Sequence, residues 1–267
     1  MVSKSKLVLL TSTSYRHKYI ANQLAKYFSL VLVITEEKSS KIESLDNLNK
    51  EESIFLNNHF KNRLLNEQKY FGDELDFNDD INIVNVPHKS INSIETFKRI
   101  KKANPDRIIL FGTSIIKEPI LSFFKGKIIN LHLGLSPYYK GSATNLFPIK
   151  YNEVDCVGAT IHIATPKVDQ GPILHQLRPD INGEETIHDL GNKVILKSGI
   201  ILPLVIRKNI DGEIKGKTQR GEGRICKISD LDINVLRNIY KKIELGIVRD
   251  FLINKKHTLK PIIEAEL

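Results

Sequence analysis

Continuous apolar runs alternate with amphipathic stretches along most of the chain. "KLVLLTS" at 6–12 predicts a buried strand, "RHKYIANQLAKYF" repeats apolar residues at helical spacing, and "LVLVIT" at 30–35 predicts a second buried strand. Residues 36–80 are highly charged and include a predicted helix, "EESIFLNNHFKNRLLNEQKYF". "INIVNV" at 81–86 resumes the strand pattern. "SINSIETFKRIKKANP" predicts a helix with Ser90 or Asn92 as N-cap and Pro105 beyond its end. "DRIILFGTS" predicts a further buried strand, with a short helix near Pro119, and "KIINLHL" another strand. "VGATIHIAT" at 157–165 alternates as a strand does, and "GPILHQLRP" reads as its hairpin partner. A long amphipathic helix begins near Glu184, a Gly-rich basic stretch follows Asp211, and helix returns from about Asp232. Buried strands alternating with helices predict an α/β fold: a mostly parallel, twisted sheet with helices on both faces. The expected organisation is a catalytic unit over 1–208 and a short, partly helical extension over 209–267, packed on that unit or in a dimer interface.

Composition narrows the class. The 267 residues are 41% hydrophobic and 27% charged, a balance that builds a sizeable core. No apolar run reaches membrane-spanning length, so no membrane partner is expected, and "MVSKSKLVLLTSTSYRH" does not read as a secretory signal. Cys156 and Cys226 form neither a disulfide framework nor a metal spacing, and read as buried thiols in a reducing cytoplasm. The net charge of +9 suits an anionic partner, but the lysines are scattered. Tyr and Phe are not interleaved with Arg as in a single-strand-binding platform, so nucleic acid is disfavoured.

Several motifs fail on spacing. "GEIKGKT" lacks the four residues a phosphate loop needs between its glycines. The turn "TSTSYRH" has no G-x-G-x-x-G, and no G-x-S-x-G elbow occurs. His17, His59, His88 and His188 lack paired ligand spacing, so no metal is expected.

The informative stretch is "IINLHLGLSPYYKGSATN" at 128–145. Residues i and i+2 of a strand share a face, so Asn130 and His132 point together at a strand end, where α/β sheets bind ligands. An imidazole can move protons near neutral pH, and an amide N–H can donate to a developing oxyanion. Asp169, in the loop "TPKVDQGPIL", is a candidate carboxylate for the imidazole. Spacing alone leaves the alternative that all three are turn or structural residues.

"NLHLGLSPYYKG" followed by "GATIHIATPKVDQGPIL" resembles the signature of the 10-formyltetrahydrofolate-dependent formyltransferases, strongly over 106–173 and diffusely elsewhere. The matching residues are Asn130, His132, Pro137, Tyr139, Gly141, Thr160, His162, Asp169 and Gly171. The separation from His132 to Asp169, 169 − 132 = 37 residues, is close to the family's usual value. The resemblance implies a Rossmann-like formyltransferase fold and 10-formyltetrahydrofolate as formyl donor. It implies that Asn130 stabilises an oxyanion, His132 transfers protons and Asp169 polarises the site. It places the pterin between Phe111, Gly112, Thr113 and Ile115 on one side and Val168 and Asp169 on the other. His162, inside a strand, is equally a structural residue or a site residue.

The acceptor is read from departures within the family. The glycinamide ribonucleotide enzymes resemble a chain with a Gly/Ser-rich first loop, which "TSTSYRH" lacks. The methionyl-tRNA enzymes resemble a chain with a basic C-terminal β-barrel, and the helical pattern after residue 232 does not build one. "RHKYIANQL" and "HFKNRLLNEQKYF" look more like the sugar amine N-formyltransferases. The expected acceptor is the amine of a nucleotide-linked amino sugar, such as a UDP- or dTDP-4-amino-4,6-dideoxy sugar in surface-polysaccharide synthesis. Lys140, Ser142, Thr144 and Asn145 are expected to line its pocket, with Arg16 and His17 as a second contact. The alternatives are a methionyl-tRNA formyltransferase-like enzyme, a folate-releasing hydrolase, and a non-catalytic module that binds folate or a nucleotide. Apolar residues in "VLRNIYKKIELGIVRDFLI" suggest a homodimer surface, or packing on the chain's own domain.

Overall fold

In the computed structural model, residues 4–37, 48–73, 75–254 and 259–267 are described, so parts of the charged region 36–80 lie outside them. The strands are β1 (Lys6–Thr11), β2 (Ser29–Glu36), β3 (Ile83–Val86), β4 (Arg107–Leu110), β5 (Ile128–His132), β6 (Tyr139–Gly141), β7 (Ala159–Ile163), β8 (Ile173–Leu177) and β9 (Arg224–Cys226). The helices are α1 (Tyr15–Tyr27), α2 (Lys50–Phe71), α3 (Ile94–Ala103), α4 (Ile120–Phe123), α5 (Phe147–Lys150), α6 (Ile187–Ile210), α7 (Ile233–Glu244) and α8 (Ile247–Ile253). Seven strands form one sheet in the order β3-β2-β1-β4-β5-β7-β8. Pairing is parallel from β3 to β5 and antiparallel for β5–β7 and β7–β8. The winding reverses between β1 and β4, which opens a crevice at the carboxyl ends of those strands.

The strand period of two divides the core between the two faces. Leu7, Leu9, Ile109, Ile129 and Leu131 belong to one apolar cluster, which also holds Ile20 and Leu24 of α1 and Leu202 of α6. Val8, Leu10, Ile108, Leu110 and Ile128 belong to the other, with Ile100 of α3. Asn130 and His132 share the face of Ile128, where the apolar pattern gives out.

Two helix starts that bear on the sequence reading are set by side-chain caps. Thr186 caps α6 through a capping box with Asp189, two residues later than the sequence pattern suggested. The Ser93 side chain caps α3 by accepting from Thr96 N, so neither Ser90 nor Asn92 holds that position. The segment after α6 is not a separate body: Leu236, Ile239 and Val248 join the main core cluster. Leu245 and Ile253 of the same stretch remain exposed. The two-stranded β6–β9 sheet was not expected from the sequence.

Candidate active site

Register brings the polar residues together. β5 pairs in parallel with β4, placing Asn130 beside Leu110, where the 111–115 loop leaves the sheet. On its other edge β5 runs antiparallel to β7, which sets His162 opposite Asn130 and Thr160 opposite His132. The β7–β8 loop turns Asp169 back toward this pair, with the Asp169 backbone in the left-handed region at φ 52°. That conformation is uncommon for a residue with a side chain.

The Asp169 carboxylate is the hub. Its Oδ1 accepts from Asn130 Nδ2 at 3.1 Å, and its Oδ2 accepts from the Gly141 N–H at 2.8 Å. His132 Nδ1 lies 3.4 Å from Oδ2, and His162 Nε2 lies 3.5 Å from Oδ1. His132, His162 and Asp169 are all buried. Burial alone would raise the Asp169 carboxyl. The His132 and His162 imidazoles and the Gly141 N–H outweigh burial and hold it at about 2.

Partner chemistry fixes the tautomers. His162 Nδ1 lies 3.0 Å from the Ile163 carbonyl, which can only accept, so Nδ1 carries the proton. Its Nε2 then accepts from Asn130 Nδ2 at 3.1 Å. Both hydrogens of the Asn130 amide are therefore engaged, one by His162 and one by Asp169. His132 Nε2 donates to the Tyr139 carbonyl at 3.0 Å while Nδ1 faces Asp169. Burial holds this imidazole below its ordinary value, against the pull of Asp169 and the Tyr139 carbonyl. A neutral ring between two oxygen acceptors has a lone pair directed at one of them, and is poised to take up a proton.

The other expected site residues divide. Ile115 and Val168 expose apolar side chains, and Gly112 takes positive φ. Thr113 Oγ1 donates to Glu36 Oε2 at 3.3 Å, and the Ser114 N–H donates to the same oxygen at 2.9 Å. The Phe111 ring is buried in the core, 5.0 Å from the His17 ring, so only its backbone adjoins the crevice. Lys140 is half-buried on β6, and Ser142 is exposed. Thr144 and Asn145 each bond backbone, and the Asn145 Nδ2 is buried without a hydrogen-bond partner. Thr144 Oγ1 donates to the Leu133 carbonyl, and Asn145 Oδ1 accepts from the Gly158 N–H at 2.9 Å. Arg16 pairs with Glu67 of α2 instead of standing free at the end of β1.

Tyr139 and Gly141 belong to the matching motif, but their contacts escaped the sequence pattern because both are made by backbone, a carbonyl and an N–H. His162, left open between a structural and a site role, is engaged by Asn130 across the antiparallel β5–β7 register.

The sequence model of the formyl transferase family matches residues 7–206. The methionyl-tRNA formyltransferase of Ehrlichia ruminantium (strain Gardel) is 33% identical over 150 residues, 55% of this chain and 48% of that protein. The chain spans about half the length of the curated relatives it matches. The structure of glycinamide ribonucleotide transformylase 1 from Symbiobacterium toebii superposes with TM-score 0.55 at 20% identity, covering 83% of this chain and 96% of that one. A sugar N-formyltransferase from a Shewanella species superposes with TM-score 0.56 at 18% identity, covering 88% and 87%. At these identities the structural likeness is one of fold.

Proposed function

Because the chain belongs to the formyl transferase family, we propose that it transfers a formyl group from 10-formyltetrahydrofolate to the primary amine of a nucleotide-activated amino sugar. The observation that carries the transfer chemistry is the convergence of Asn130, His132 and His162 on the Asp169 carboxylate.

The amine nitrogen forms a bond to the formyl carbon, and the carbonyl π electrons move onto oxygen. Asn130 turns one amide N–H from its present partners onto that oxyanion. His132 accepts the proton shed by the amine, its imidazolium stabilised by Asp169, and delivers it to N10 as the carbon–N10 bond breaks. The carbonyl re-forms with no net oxidation, giving a formamide and tetrahydrofolate. The exposed side chains of Ile115 and Val168 offer apolar surface to a flat heterocycle, and the backbone of 112–115 and 168–169 offers polar groups to its edge.

Two observations favour a sugar acceptor. Arg16, in the first turn of α1, is held by Glu67, which argues against a glycinamide-type phosphate site there. Lys140, half-buried beside the catalytic loop, supplies a cation for a diphosphate. The 33% identity to a methionyl-tRNA enzyme favours a second reading, tRNA formylation, which requires strongly salt-dependent binding.

The test incubates the protein with 10-formyltetrahydrofolate and, separately, UDP- and dTDP-linked 4-amino sugars, glycinamide ribonucleotide and methionyl-tRNA. Mass spectrometry detects the added formyl group, with His132→Ala as control. Formylation of a nucleotide sugar that is lost in the control supports the proposal; formylation of tRNA alone replaces the acceptor. Absence of transfer to any of the four overturns the reading.

A further inference from the structure

The stretch 217–226 lies beyond the long helix and outside the matched region 7–206, yet it returns to the catalytic loops at four places. Lys217 and Ile173 exchange two backbone hydrogen bonds of 2.8 Å at the start of β8. Gln219 Nε2 donates to both the Asp169 and the Gly171 carbonyls at 2.8 Å. The Arg224 N–H donates to the Tyr138 carbonyl at 2.8 Å, and the Ser142 N–H donates to the Cys226 carbonyl at 2.9 Å. The segments held in this way supply the two protein oxygens that face His132, namely Asp169 Oδ2 and the Tyr139 carbonyl.

The contact with the Asp169 loop is chemically specific. Carbonyls two residues apart repel when they converge, and a single amide nitrogen with two hydrogens satisfies both. The turn so fixed carries Asp169 in its left-handed conformation, a position with an intrinsic backbone cost. At the other end of the same amide, Gln219 Oε1 is buried without a hydrogen-bond partner. An orphaned buried acceptor is unfavourable, so this side chain is poorly explained by stability alone.

We propose that 217–226 is a working part of the catalytic site, and that Gln219 is a positioning residue that aims the Asp169 carboxylate at His132. This rests on the formyl-transfer reading for its kinetic consequence but not for its geometry. The charged and titratable groups facing His132 are Asp169 from the β7–β8 loop and His162 from β7.

The experiment uses the full chain with Gln219→Met, which removes the donors at similar size and adds no charge, and Gln219→Ala as a second variant. Circular dichroism melts select the folded variants. Histidine side-chain NMR follows the His132 titration, assigned with His132→Gln. Turnover is measured with 10-formyltetrahydrofolate and dTDP-4-amino-4,6-dideoxyglucose. A displaced carboxylate stabilises the imidazolium less, so the His132 midpoint moves to lower pH than in the wild type. The kcat falls about 10- to 100-fold, the scale for a reacting group misplaced by about 1 Å, while the acceptor KM stays near its wild-type value. Folded variants with unchanged kcat and an unchanged His132 midpoint overturn the proposal and leave the formyl-transfer reading intact. A shifted midpoint in a protein whose wild type transfers no formyl group supports the positioning role and removes that reading instead.

Discussion

His162 Nε2 accepts a hydrogen bond from Asn130 Nδ2 across the β5–β7 ladder, at a register position directly opposite. Its other nitrogen is fixed by the Ile163 carbonyl, so the ring holds its lone pair toward Asn130. The amide is thereby clamped between a neutral acceptor and a charged one. In the proposed mechanism one of these contacts opens as the amide turns toward an oxyanion, and the bond to the neutral acceptor is the weaker of the two.

His162→Gln keeps an acceptor near the Nε2 position, whereas His162→Leu removes it at similar size. Leu at 162 is expected to lower kcat about 10- to 100-fold with a small change in KM, and Gln to retain most of the activity. Steady-state kinetics on both variants tests the clamp. Equal losses in the two would show that ring shape matters and the acceptor does not.

Asp169→Asn turns its NH2 group onto one of the two donors, Asn130 Nδ2 at the Oδ1 position or the Gly141 N–H at the Oδ2 position, and removes the charge beside His132. A fall in kcat of at least about 100-fold is expected, comparable to losing an oxyanion donor. Stability also responds. The carboxyl is held at about 2 in the fold against its ordinary 3.8. Between those values the unfolded chain binds a proton that the native chain does not, so stability is lost as pH falls through that window. Urea midpoints at pH 5 and pH 3 should differ less in Asp169→Asn than in the wild type. Asp189, also held at about 2, leaves part of the difference in both.

A second titrating cluster ties α7 to the body. The Tyr240 hydroxyl lies 3.0 Å from His59 Nδ1 and 3.1 Å from His188 Nε2. Burial, with Arg63 nearby, pulls both imidazoles from 6.5 to about 4. Above 6.5 their contribution is complete. As pH falls from 6.5 toward 4 the unfolded chain takes up protons first, and the contribution is lost. The melting temperature should therefore fall by several degrees over this range, since about 1 kcal/mol moves it by about 2–4 °C in a chain of this size. The double variant His59→Gln, His188→Gln should melt lower at pH 7.5 but lose less on acidification.

Two glycine-to-alanine changes should act with opposite sign. A Cβ on Gly171 would run into the Ile163 backbone carbonyl, whereas one on Gly191 in α6 meets nothing within 4 Å. Gly171→Ala is expected to destabilise by about 2–3 kcal/mol and to displace the neighbouring Asp169. Gly191→Ala removes a helical glycine and should stabilise by about 0.5–1 kcal/mol. Chemical denaturation of the pair reads both.

β1, β2 and β4 were legible because each is a run of apolar residues long enough to bury on both faces, and the long helices because apolar residues recur at helical spacing. Asn130 and His132 were legible because polar groups stood where an apolar run ended, and Asp169 because it is the carboxylate of the glycine-containing loop in the matching motif. β6 and β9 were not: "YKG" and "RIC" have no period, and their pairing spans a long stretch of sequence. The α3 cap was ambiguous because Ser90, Asn92 and Ser93 are all capping residue types. The backbone contacts of Thr144 with Leu133 and of Asn145 with Gly158 were not legible, because position alone does not reveal which distant backbone groups a polar side chain meets.

The strap from 217 to 226 implies that the enzyme has two thresholds of failure. Residues 220–225 are exposed, and the segment adds no strand to the seven-stranded sheet. Such a segment opens locally at a free energy far below that of melting the sheet. Inactivation by mild denaturant should then precede loss of the helical signal, and protease nicking near Gly221 and Gly223 should abolish turnover in a molecule that is still folded.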